Sequence, residues 1–388
     1  MQTYYADLHI HIGRTNKGKA VKITASNDLT FYNIMEEASM RKGMDIIGII
    51  DCQSPAVQED IHYYLNEGTM IEVSGGGIQF RNTTMMLGSE IEIYDEGFGP
   101  AHVLAYLPNL HNMMDFSRWM SKHMKNVNLS TQRLYVPAKI LQEEVIGRGG
   151  LFIPAHIFTP HKSAYGSCSS KLAHVFNLEF ISAVELGLSA DAEMAGLISE
   201  LNEIPFLTNS DAHSLGKIAR EYNQLKLKSP NFLELKKALL QMDGRKVTAN
   251  FGLNPKLGKY NRTYCSNCSS ILEENKSVVV RCTYCGSEKV VRGVYDRVVQ
   301  IADQKSSKLD NRPPYYYQIP LEFIPGLGPR KLNQLLFRFG TEMNVLHQAT
   351  RDQIREVVGE KLSNLIMLAK QGKSVIQTGG GGTYGKIR

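Results

Sequence analysis

The first residues of the chain that can do chemistry are two histidines that alternate with apolar residues in the segment Asp7-Leu8-His9-Ile10-His11. Side chains of a β-strand point alternately to its two faces, so a strand here places both imidazoles on the same face. Imidazoles that share a face are suited to binding a divalent metal ion. A lone histidine is more often structural, so the prediction depends on similar positions elsewhere in the chain.

Several later apolar, strand-like runs also end in a residue that can bind a metal ion. Beyond the first two histidines, the predicted ligands are Asp51, Glu90, His102, His156, Asp211 and His213. In a (β/α) barrel the carboxyl ends of the strands converge at one mouth, which carries the chemistry. One polynuclear metal centre at that mouth therefore accounts for all of these positions. We expect Glu90 and Asp211 to bridge metal ions, since a carboxylate can bind two cations and an imidazole cannot.

The catalytic residues within this set are predicted to be His9, His11, Glu90, Asp211 and His213. The number of histidines favours zinc, manganese or iron over magnesium alone. Two interpretations remain open for each of three further residues near the predicted ligands. Cys52, after Asp51, is a soft ligand or a buried thiol, and Glu185 orients a ligand or is buried with a partner. His161 is a substitute ligand or a phosphate contact.

Helix signals separate the strand runs, as a barrel requires. Asn27 or Asp28 can cap one helix, and Asp191 can cap another. Two further helices are predicted over residues 136–146 and 232–242, and each is followed by a glycine. The sequence therefore predicts the α/β class, with a distorted barrel in the first part of the chain.

Composition limits the class of protein and its partners. Of 388 residues, 43% are hydrophobic and 21% are charged, and no apolar run is long enough to span a membrane. A soluble cytoplasmic protein is the expectation. From residue 251 onward, 21 Lys and Arg face 11 Asp and Glu, whereas the first 250 residues carry 23 basic and 27 acidic side chains. This segregation favours cations in the first part and a polyanion such as nucleic acid, or simply a soluble surface, in the second.

Four of the six cysteines form the pattern Cys265-x-x-Cys268 and Cys282-x-x-Cys285. Two such pairs, separated by a loop, are typical of tetrahedral zinc, although disulfides use the same residues. Four thiolates leave no open coordination position. We therefore predict one structural zinc in a ribbon and not a catalytic site.

A helical unit with a glycine-rich start is predicted near the carboxyl terminus. Gly326, Gly328, Arg330 and Lys331 precede an apolar-periodic run and resemble the helix-hairpin-helix motif. Glycines allow a phosphate to approach bare backbone amides at a helix start, so these residues are predicted to bind DNA. A plain helical hairpin for packing or dimerisation is the alternative. The Gly379-Gly380-Gly381-Gly382 tail is predicted to be flexible.

The barrel residues together resemble the PHP (polymerase and histidinol phosphatase) superfamily. The resemblance is carried by His9, His11, Asp51, Glu90, His102, His156 and the Asp211-Ala212-His213 ending. It implies a distorted barrel of the (β/α)7 type with two or three divalent metal ions at a phosphoesterase centre. The order of barrel, four-cysteine segment and hairpin unit is similar to the endonuclease Q family over nearly the whole chain.

The resemblance to the endonuclease Q family implies a metal-dependent, lesion-specific DNA endonuclease. Such enzymes nick DNA 5′ of hypoxanthine, uracil and xanthine, and at abasic sites. DNA with these lesions is the expected partner at the nucleoid, with replication or repair proteins beside it and no membrane. The predicted organisation is a barrel at 1–255, a zinc ribbon at 256–300, a linker at 301–318, a helix-hairpin-helix-like module at 319–373 and a flexible tail at 374–388.

An enzyme that inspects a damaged base usually flips it into a pocket. Two irregular segments are predicted to line this pocket near the barrel mouth, one through close backbone approach and one through a stacking ring. The predicted substrate contacts are Gly75, Gly76, Gly77, Arg81, His161, Lys162, Tyr165, Gly166 and Ser167. Simple connecting loops are the alternative for both segments.

Two other classes of function compete with the endonuclease. A PHP-type small-molecule phosphatase, of the histidinol-phosphate kind, would use the same metal face but gives no reason for the ribbon and the hairpin. A nucleic-acid-binding protein with an inactive metal site gives no reason for so complete a ligand set.

Overall fold

The computed structural model describes residues 1–273, 278–310 and 312–387, which form a mixed α/β fold. In chain order the strands are β1 (Gln2–Ile10), β2 (Ile46–Ile49), β3 (Ile71–Glu72), β4 (Ile78–Phe80), β5 (Thr83–Ile93), β6 (Ala101–Leu107), β7 (Leu151–Pro154), β8 (Val184–Glu185), β9 (Phe206–Leu207), β10 (Tyr222–Leu227), β11 (Lys246–Gly252), β12 (Tyr264–Cys265), β13 (Val290–Val291), β14 (Tyr315–Tyr317), β15 (Ile376–Gln377) and β16 (Lys386–Ile387). The α-helices are α1 (Phe31–Glu36), α2 (Pro55–Asn66), α3 (Leu110–Met120), α4 (Ala138–Gly147), α5 (Ala192–Ala195), α6 (Phe232–Leu239), α7 (Val294–Ile301), α8 (Pro329–Phe339), α9 (Glu342–His347), α10 (Arg351–Val358) and α11 (Glu360–Lys370).

A ten-stranded mixed sheet forms the centre of the molecule. Its order is β14-β11-β10-β1-β2-β5-β4-β3, and β6 and β7 extend it from β5. β1, β2 and β5 are parallel, as the barrel prediction requires. β6 is antiparallel to both β5 and β7. Strict strand and helix alternation fails between β5 and β6, because the short connection of residues 94–100 can only join antiparallel neighbours.

Hydrogen bonds continue from β7 back to β1 through short strands. The Ser182 N–H donates to the Phe152 carbonyl at 2.9 Å, and β8 pairs in parallel with β9. A parallel bridge then joins Ala212 to Ile10 of β1. The strands β1, β2, β5, β6, β7, β8 and β9 thus follow one another around a ring. Buried apolar side chains from these strands form one cluster, which includes Leu8, Met86, Leu104, Ile153 and Leu207.

The predicted helices are present, with shifted ends. α1 is capped by Thr30, whose hydroxyl accepts from the Asn33 N–H, and not by Asn27 or Asp28. α4 and α6 coincide with the helices predicted at 136–146 and 232–242 to within a few residues. Asp191 does cap a helix, but α5 is only four residues long. Among the residues that the structure describes, no helix combines the length and hydropathy needed to cross a bilayer.

The segment predicted as a linker, residues 301–318, belongs partly to the central sheet. β14 pairs in parallel with β11 along the register Asn250 to Tyr315 and Gly252 to Tyr317. Arg312 donates hydrogen bonds to the carbonyls of Leu201, Asn202 and Ile204, in the segment before β9. The part of the predicted linker around Tyr315 is therefore fixed to the sheet. Tyr315 and its neighbours pair with the edge of β11, which would otherwise expose unpaired backbone groups.

The tail at 374–388 is an ordered hairpin in its described part and not the flexible segment that we predicted. β15 and β16 pair antiparallel, with Ile376 opposite Ile387. The glycine run makes the turn, since Gly381 and Gly382 have φ of 59° and 82°. A Cβ at Gly381 would lie 2.5 Å from the Ser269 carbonyl oxygen. These glycines are needed because the turn requires positive φ and brings two backbone segments close together. From composition alone, such a turn cannot be distinguished from a flexible glycine-rich tail.

The helix α9 packs against the first part of the chain through two polar contacts, one with the helical segment that ends at Lys42 and one with the sheet. Lys42 forms an ion pair with Glu342 at 3.1 Å. The His347 ring stacks on Tyr5 with a centroid distance of 4.4 Å, and its Nε2 lies 2.7 Å from the Tyr222 hydroxyl. Burial, with a smaller effect from the charge of Lys370, lowers the pKa of His347 to about 4.

We expect His347 to make this packing sensitive to acid. The histidine pKa is about 6.5 in an unfolded chain, so between about pH 6.5 and 4 the unfolded state takes up the proton first and the free energy of unfolding falls, by about 3 kcal/mol. His347→Gln should remove this contribution. The measurement is the melting temperature at pH 7.5 and pH 5, compared with wild type. His62→Gln, at an exposed position of α2, is the matched control and should retain the wild-type pH dependence. An identical pH dependence in His347→Gln and wild type would contradict the prediction.

Candidate metal centre

The predicted ligands meet where the strands of the ring end. His9 and His11 lie at the end of β1 and are fully buried, and Glu90 lies near the end of β5. Their donor atoms form three overlapping groups in which all atoms lie within 4.8 Å of one another. The groups are His9, His11 and Glu90; His11, Asp211 and His213; and Glu90, His102 and His156. Seven of the eight predicted barrel ligands therefore share one site.

Two carboxylate oxygens are each surrounded by imidazoles. Glu90 Oε1 lies 3.0 Å from His102 Nδ1 and 3.2 Å from His156 Nε2. Asp211 Oδ1 lies 3.4 Å from His11 Nε2 and 3.5 Å from His213 Nδ1. Two ligands that bind one cation with bonds near 2.1 Å, at angles between octahedral and tetrahedral, are about 3.0–3.4 Å apart. The spacing therefore fits residues that hold metal ions between them.

Buried hydrogen bonds orient the two histidines of β1. His9 Nδ1 lies 2.9 Å from Glu185 Oε2, and Asn209 donates to the same carboxylate. His11 Nδ1 lies 3.2 Å from Asp51 Oδ2. The other ring nitrogens, His9 Nε2 and His11 Nε2, are buried and have no hydrogen-bond partner. Partnered Nδ1 atoms beside unpartnered Nε2 atoms are the usual arrangement of metal-binding histidines.

The electrostatics of the site also call for cations. Burial alone would lower the pKa of His9, but Glu185, Asp211 and Glu90 raise it to about 10. Burial alone would raise the pKa of Glu90, but the charges of His102 and Lys22 hold it well below its usual range. Several ionised carboxylates thus crowd a buried volume. Divalent cations would neutralise them in place of protons.

Residues 51 and 52 both make buried hydrogen bonds. Asp51 lies outside the three groups, and its Oδ2 accepts from the Ile12 N–H at 2.7 Å and contacts His11. It therefore orients a histidine through Oδ2. Asp51 Oδ1 is buried without a hydrogen-bond partner, and its role as a metal ligand stays a prediction. Cys52 is a buried thiol that donates to the Ile49 carbonyl at 3.2 Å, and burial raises its pKa. Glu185 has the orienting role that was one of its two interpretations.

The predicted pocket residues Gly75, Gly76, Gly77 and Arg81 lie at the wrong end of the sheet. A Cβ at Gly77 would meet Thr84, at the start of β5, whereas Glu90 is six residues further along that strand. At the strand rise of about 3.3 Å per residue, this places the glycines roughly 20 Å from the metal-ligand groups. Arg81 packs over Phe80 at the same distant edge.

The second predicted pocket segment packs inward. Tyr165 is fully buried, stacks on Phe158 and contacts Glu200 through its hydroxyl at 2.6 Å, so its ring is not free for stacking. A Cβ at Gly166 would lie 1.9 Å from the Thr159 carbonyl oxygen. The Ser167 hydroxyl donates to the Pro100 carbonyl, so it too is used internally.

Two predicted substrate contacts lie close to the site. Lys162 Nζ is 2.6 Å from Glu92, whose Oε2 lies 3.9 Å from His102 Nε2. His161 packs against the edge of Tyr260 and lies outside the three groups, so its role as a substitute ligand or phosphate contact stays a prediction.

Sequence reasoning missed three residues that lie beside Glu90 and His102, namely Lys22, Glu92 and Thr131. Lys22 Nζ lies 3.4 Å from Glu90 Oε2 and 2.7 Å from the Thr131 hydroxyl, which itself donates to Glu90. Glu92 shares a strand face with Glu90, and period-two spacing could have found it. Lys22 and Thr131 come from loops, where no such spacing exists.

The four predicted zinc-binding cysteines lie together. The Sγ atoms of Cys265 and Cys285 are 3.6 Å apart, as are those of Cys268 and Cys282. This exceeds a disulfide bond of about 2.05 Å and is close to the roughly 3.8 Å between sulfurs on one tetrahedral zinc. The chemistry of four thiolates at this spacing fits a zinc ion.

The predicted DNA-contact residues lie at an exposed helix start. Gly326 has a φ of 83°, Gly328 precedes α8, and both glycines and the side chains of Arg330 and Lys331 are exposed. No atom lies within 4 Å of a Cβ built at Gly328. The backbone there is open to a ligand. DNA binding by these residues stays a prediction.

Buried imidazoles and carboxylates at strand ends of an α/β fold define the class of metal-dependent hydrolases. No protein-family model matches the chain. It is 51% identical to the uncharacterized protein YqxK of Bacillus subtilis over 390 residues, with both chains fully covered. It is 30% identical to the lesion-specific endonuclease PfuEndoQ of Pyrococcus furiosus. The two structures match with a TM-score of 0.85, and the match covers all of this chain and 95% of that chain. A structure of endonuclease Q with a 27-mer duplex carrying an abasic lesion gives a TM-score of 0.86 at 30% identity, with all of this chain and 96% of that chain covered. The chain belongs to the endonuclease Q family.

We expect Glu185 to control metal affinity through His9. Glu185→Gln keeps the shape but weakens the acceptor for His9 Nδ1–H, and loss of such an outer partner costs about 10- to 100-fold in metal affinity. Titration of the metal-free protein with Mn²⁺ or Zn²⁺ by calorimetry measures this change. Glu143→Gln, at an exposed position of α4, is the control. Wild-type affinity in Glu185→Gln would show that the orienting contact is irrelevant.

We expect Cys268→Ser to remove one bound zinc per chain, because a hydroxyl is a poor substitute for a thiolate. Elemental analysis of the purified protein reports the loss. Cys168→Ala should retain all of the zinc, since Cys168 lies outside the four-cysteine group. Equal zinc content in Cys268→Ser and wild type would contradict the assignment.

Proposed function

We propose that the protein is a metal-dependent DNA endonuclease. It hydrolyses the phosphodiester on the 5′ side of deaminated bases, namely hypoxanthine, uracil and xanthine, and of abasic sites, and so initiates DNA repair. The observation that carries the proposal is the set of buried imidazoles around Glu90 and Asp211 in a chain of the endonuclease Q family. The family member with an abasic-site duplex supports a duplex as the substrate.

The metal ligands in this proposal are His9, His11, Glu90, His102, His156, Asp211 and His213. They would hold two or three divalent ions, zinc with manganese, iron or magnesium, at the mouth of a PHP-type barrel formed by the seven-strand ring. Bound there, the ions supply an activated water, a clamp on the phosphodiester and stabilisation of the departing 3′ oxygen. The three overlapping donor groups support more than one ion.

The remaining residues of the site position the ligands and the phosphate. Arg220 donates to the carbonyls of Ser210 and Asp211, so it fixes the loop that carries Asp211. Lys22 partly neutralises Glu90, which keeps this buried carboxylate ionised. The cleft at the site is also lined by Lys217 and Arg220, which attract the anionic backbone of a substrate.

The carboxyl-terminal part would supply DNA affinity. The four cysteines would hold one structural zinc over residues 256–300, and Gly326, Gly328, Arg330 and Lys331 would contact a phosphate at the start of α8. Phosphate contacts of this kind fix register and carry no sequence information. Replication or repair proteins at the nucleoid are the further partners of this proposal.

The test is cleavage of an end-labelled duplex with one deoxyinosine or one abasic site, followed on a denaturing gel with added divalent metal. We expect one nick 5′ of the lesion, none in undamaged DNA and none with chelator. His9→Ala should lower the rate by more than about 100-fold, the upper end for outer-shell partners, because it removes a ligand itself. His111→Ala, at an exposed position of α3, is the matched control. Release of phosphate from small monoesters without any nick would overturn the proposal in favour of a PHP-type phosphatase.

A further inference from the structure

The carboxyl-terminal hairpin forms part of the cleft that contains the metal-ligand groups. This cleft has a volume of about 420 Å³, and its lining includes His156, Asp211 and His213 as well as Tyr260 and Tyr384. The volume falls within the usual range of sites for small molecules, roughly 300–1,000 Å³. Tyr384, a residue of the carboxyl-terminal hairpin, therefore shares a cavity with three candidate metal ligands.

Backbone hydrogen bonds hold the hairpin in this position. The Gly379 N–H donates to the Lys256 carbonyl at 2.7 Å, and the Gly385 N–H donates to the Leu257 carbonyl at 2.9 Å. These two anchors flank Tyr384, which lies immediately before Gly385. The place of the Tyr384 ring in the cleft is thus set by backbone contacts and not by a loose tail.

Two tyrosine rings and a lysine form the rim of the cleft. Lys259 Nζ lies 4.8 Å from the ring centroid of Tyr260 and 5.6 Å from that of Tyr384. Tyr384 is 49% exposed, whereas tyrosines such as Tyr106 and Tyr222 are fully buried. A half-exposed aromatic ring in a concave site can stack on a base, and a nearby ammonium group adds attraction for a phosphate.

The cleft combines the chemical features that a nucleotide needs. Its floor presents the metal-ligand groups, where the phosphate would react, and Lys217 and Arg220 add positive charge. Its rim presents aromatic faces. The two segments that the sequence suggested for a base pocket offer no such faces, since Tyr165 is buried and the glycines near Gly77 lie at the other edge of the sheet.

We infer that Tyr384 and Tyr260 stack on the nucleobase next to the scissile phosphodiester, with Lys259 at its phosphate. The carboxyl-terminal hairpin is then a specificity element of the substrate site. This inference rests on the proposed function and deepens it. Base stacking contributes binding that an abasic nucleotide cannot provide, so the hairpin should matter for damaged bases and not for abasic sites.

The test compares Tyr384→Ala with wild type on two duplexes, one with deoxyinosine and one with an abasic site, in single-turnover cleavage by the metal-loaded full-length protein. We expect the rate at subsaturating protein to fall by roughly 5- to 100-fold on deoxyinosine, the range for one lost base stack, and by less than about 2-fold on the abasic site. Tyr384→Phe keeps the ring and should keep the wild-type rates. Tyr63→Ala, an equally exposed tyrosine on α2, is the matched control.

Equal losses on both duplexes, or no loss on deoxyinosine, would overturn the inference. If wild type cuts neither duplex, the proposed function fails, and fluorescence-anisotropy affinities for the same duplexes decide the inference. Loss of a deoxyinosine preference in Tyr384→Ala, with the preference retained in Tyr384→Phe, would then support it. An unchanged preference in Tyr384→Ala would overturn it.

Discussion

The buried charge of Glu90 is the constraint on which the rest of the site depends. Its side chain is only 2% exposed, yet its environment keeps it ionised. A buried carboxylate without compensation is costly, so neighbouring strands and loops must bring positive or hydrogen-bonding groups to it. His102 and His156 approach one oxygen, while His11 and Lys22 approach the other. The ring of strands can be understood as the scaffold that brings these groups together.

Holding these groups in place strains the backbone where strands end. His156 and Asp211, which follow β7 and β9, have φ of 30° and 45°, and Lys162 and Thr131 both have φ of 54°. Such conformations cost about 1–3 kcal/mol each for residues other than glycine and persist only where the surroundings fix them. The positive φ of His156 lies in the turn after β7, and from this turn the His156 ring reaches Glu90. Strain and charge compensation thus occur at the same place.

The metal-ligand groups were predictable because most ligands follow or end an apolar run, and His102 begins one. His9 and His11 share a face through strand periodicity, and Asp211 and His213 follow a similar run. The cleft rim was not predictable, because Tyr260 and Tyr384 are 124 positions apart in the sequence and meet only through the backbone pairing of the tail. The same limit explains the misplaced glycines of the predicted pocket. Local pattern reports which face a residue occupies, but not at which end of the sheet a loop lies.

The return of the tail to Leu257 has a consequence for biosynthesis. Roughly 130 residues separate this anchor from its partners in the hairpin, so at ordinary translation rates of about 5–20 residues per second the two meet many seconds apart. The ring of strands and its ligands are synthesised first, and the cleft lacks one wall until the hairpin of β15 and β16 has been synthesised. A nonsense mutation or proteolytic nick near the carboxyl terminus would leave the ligand residues intact but the cleft open on one side.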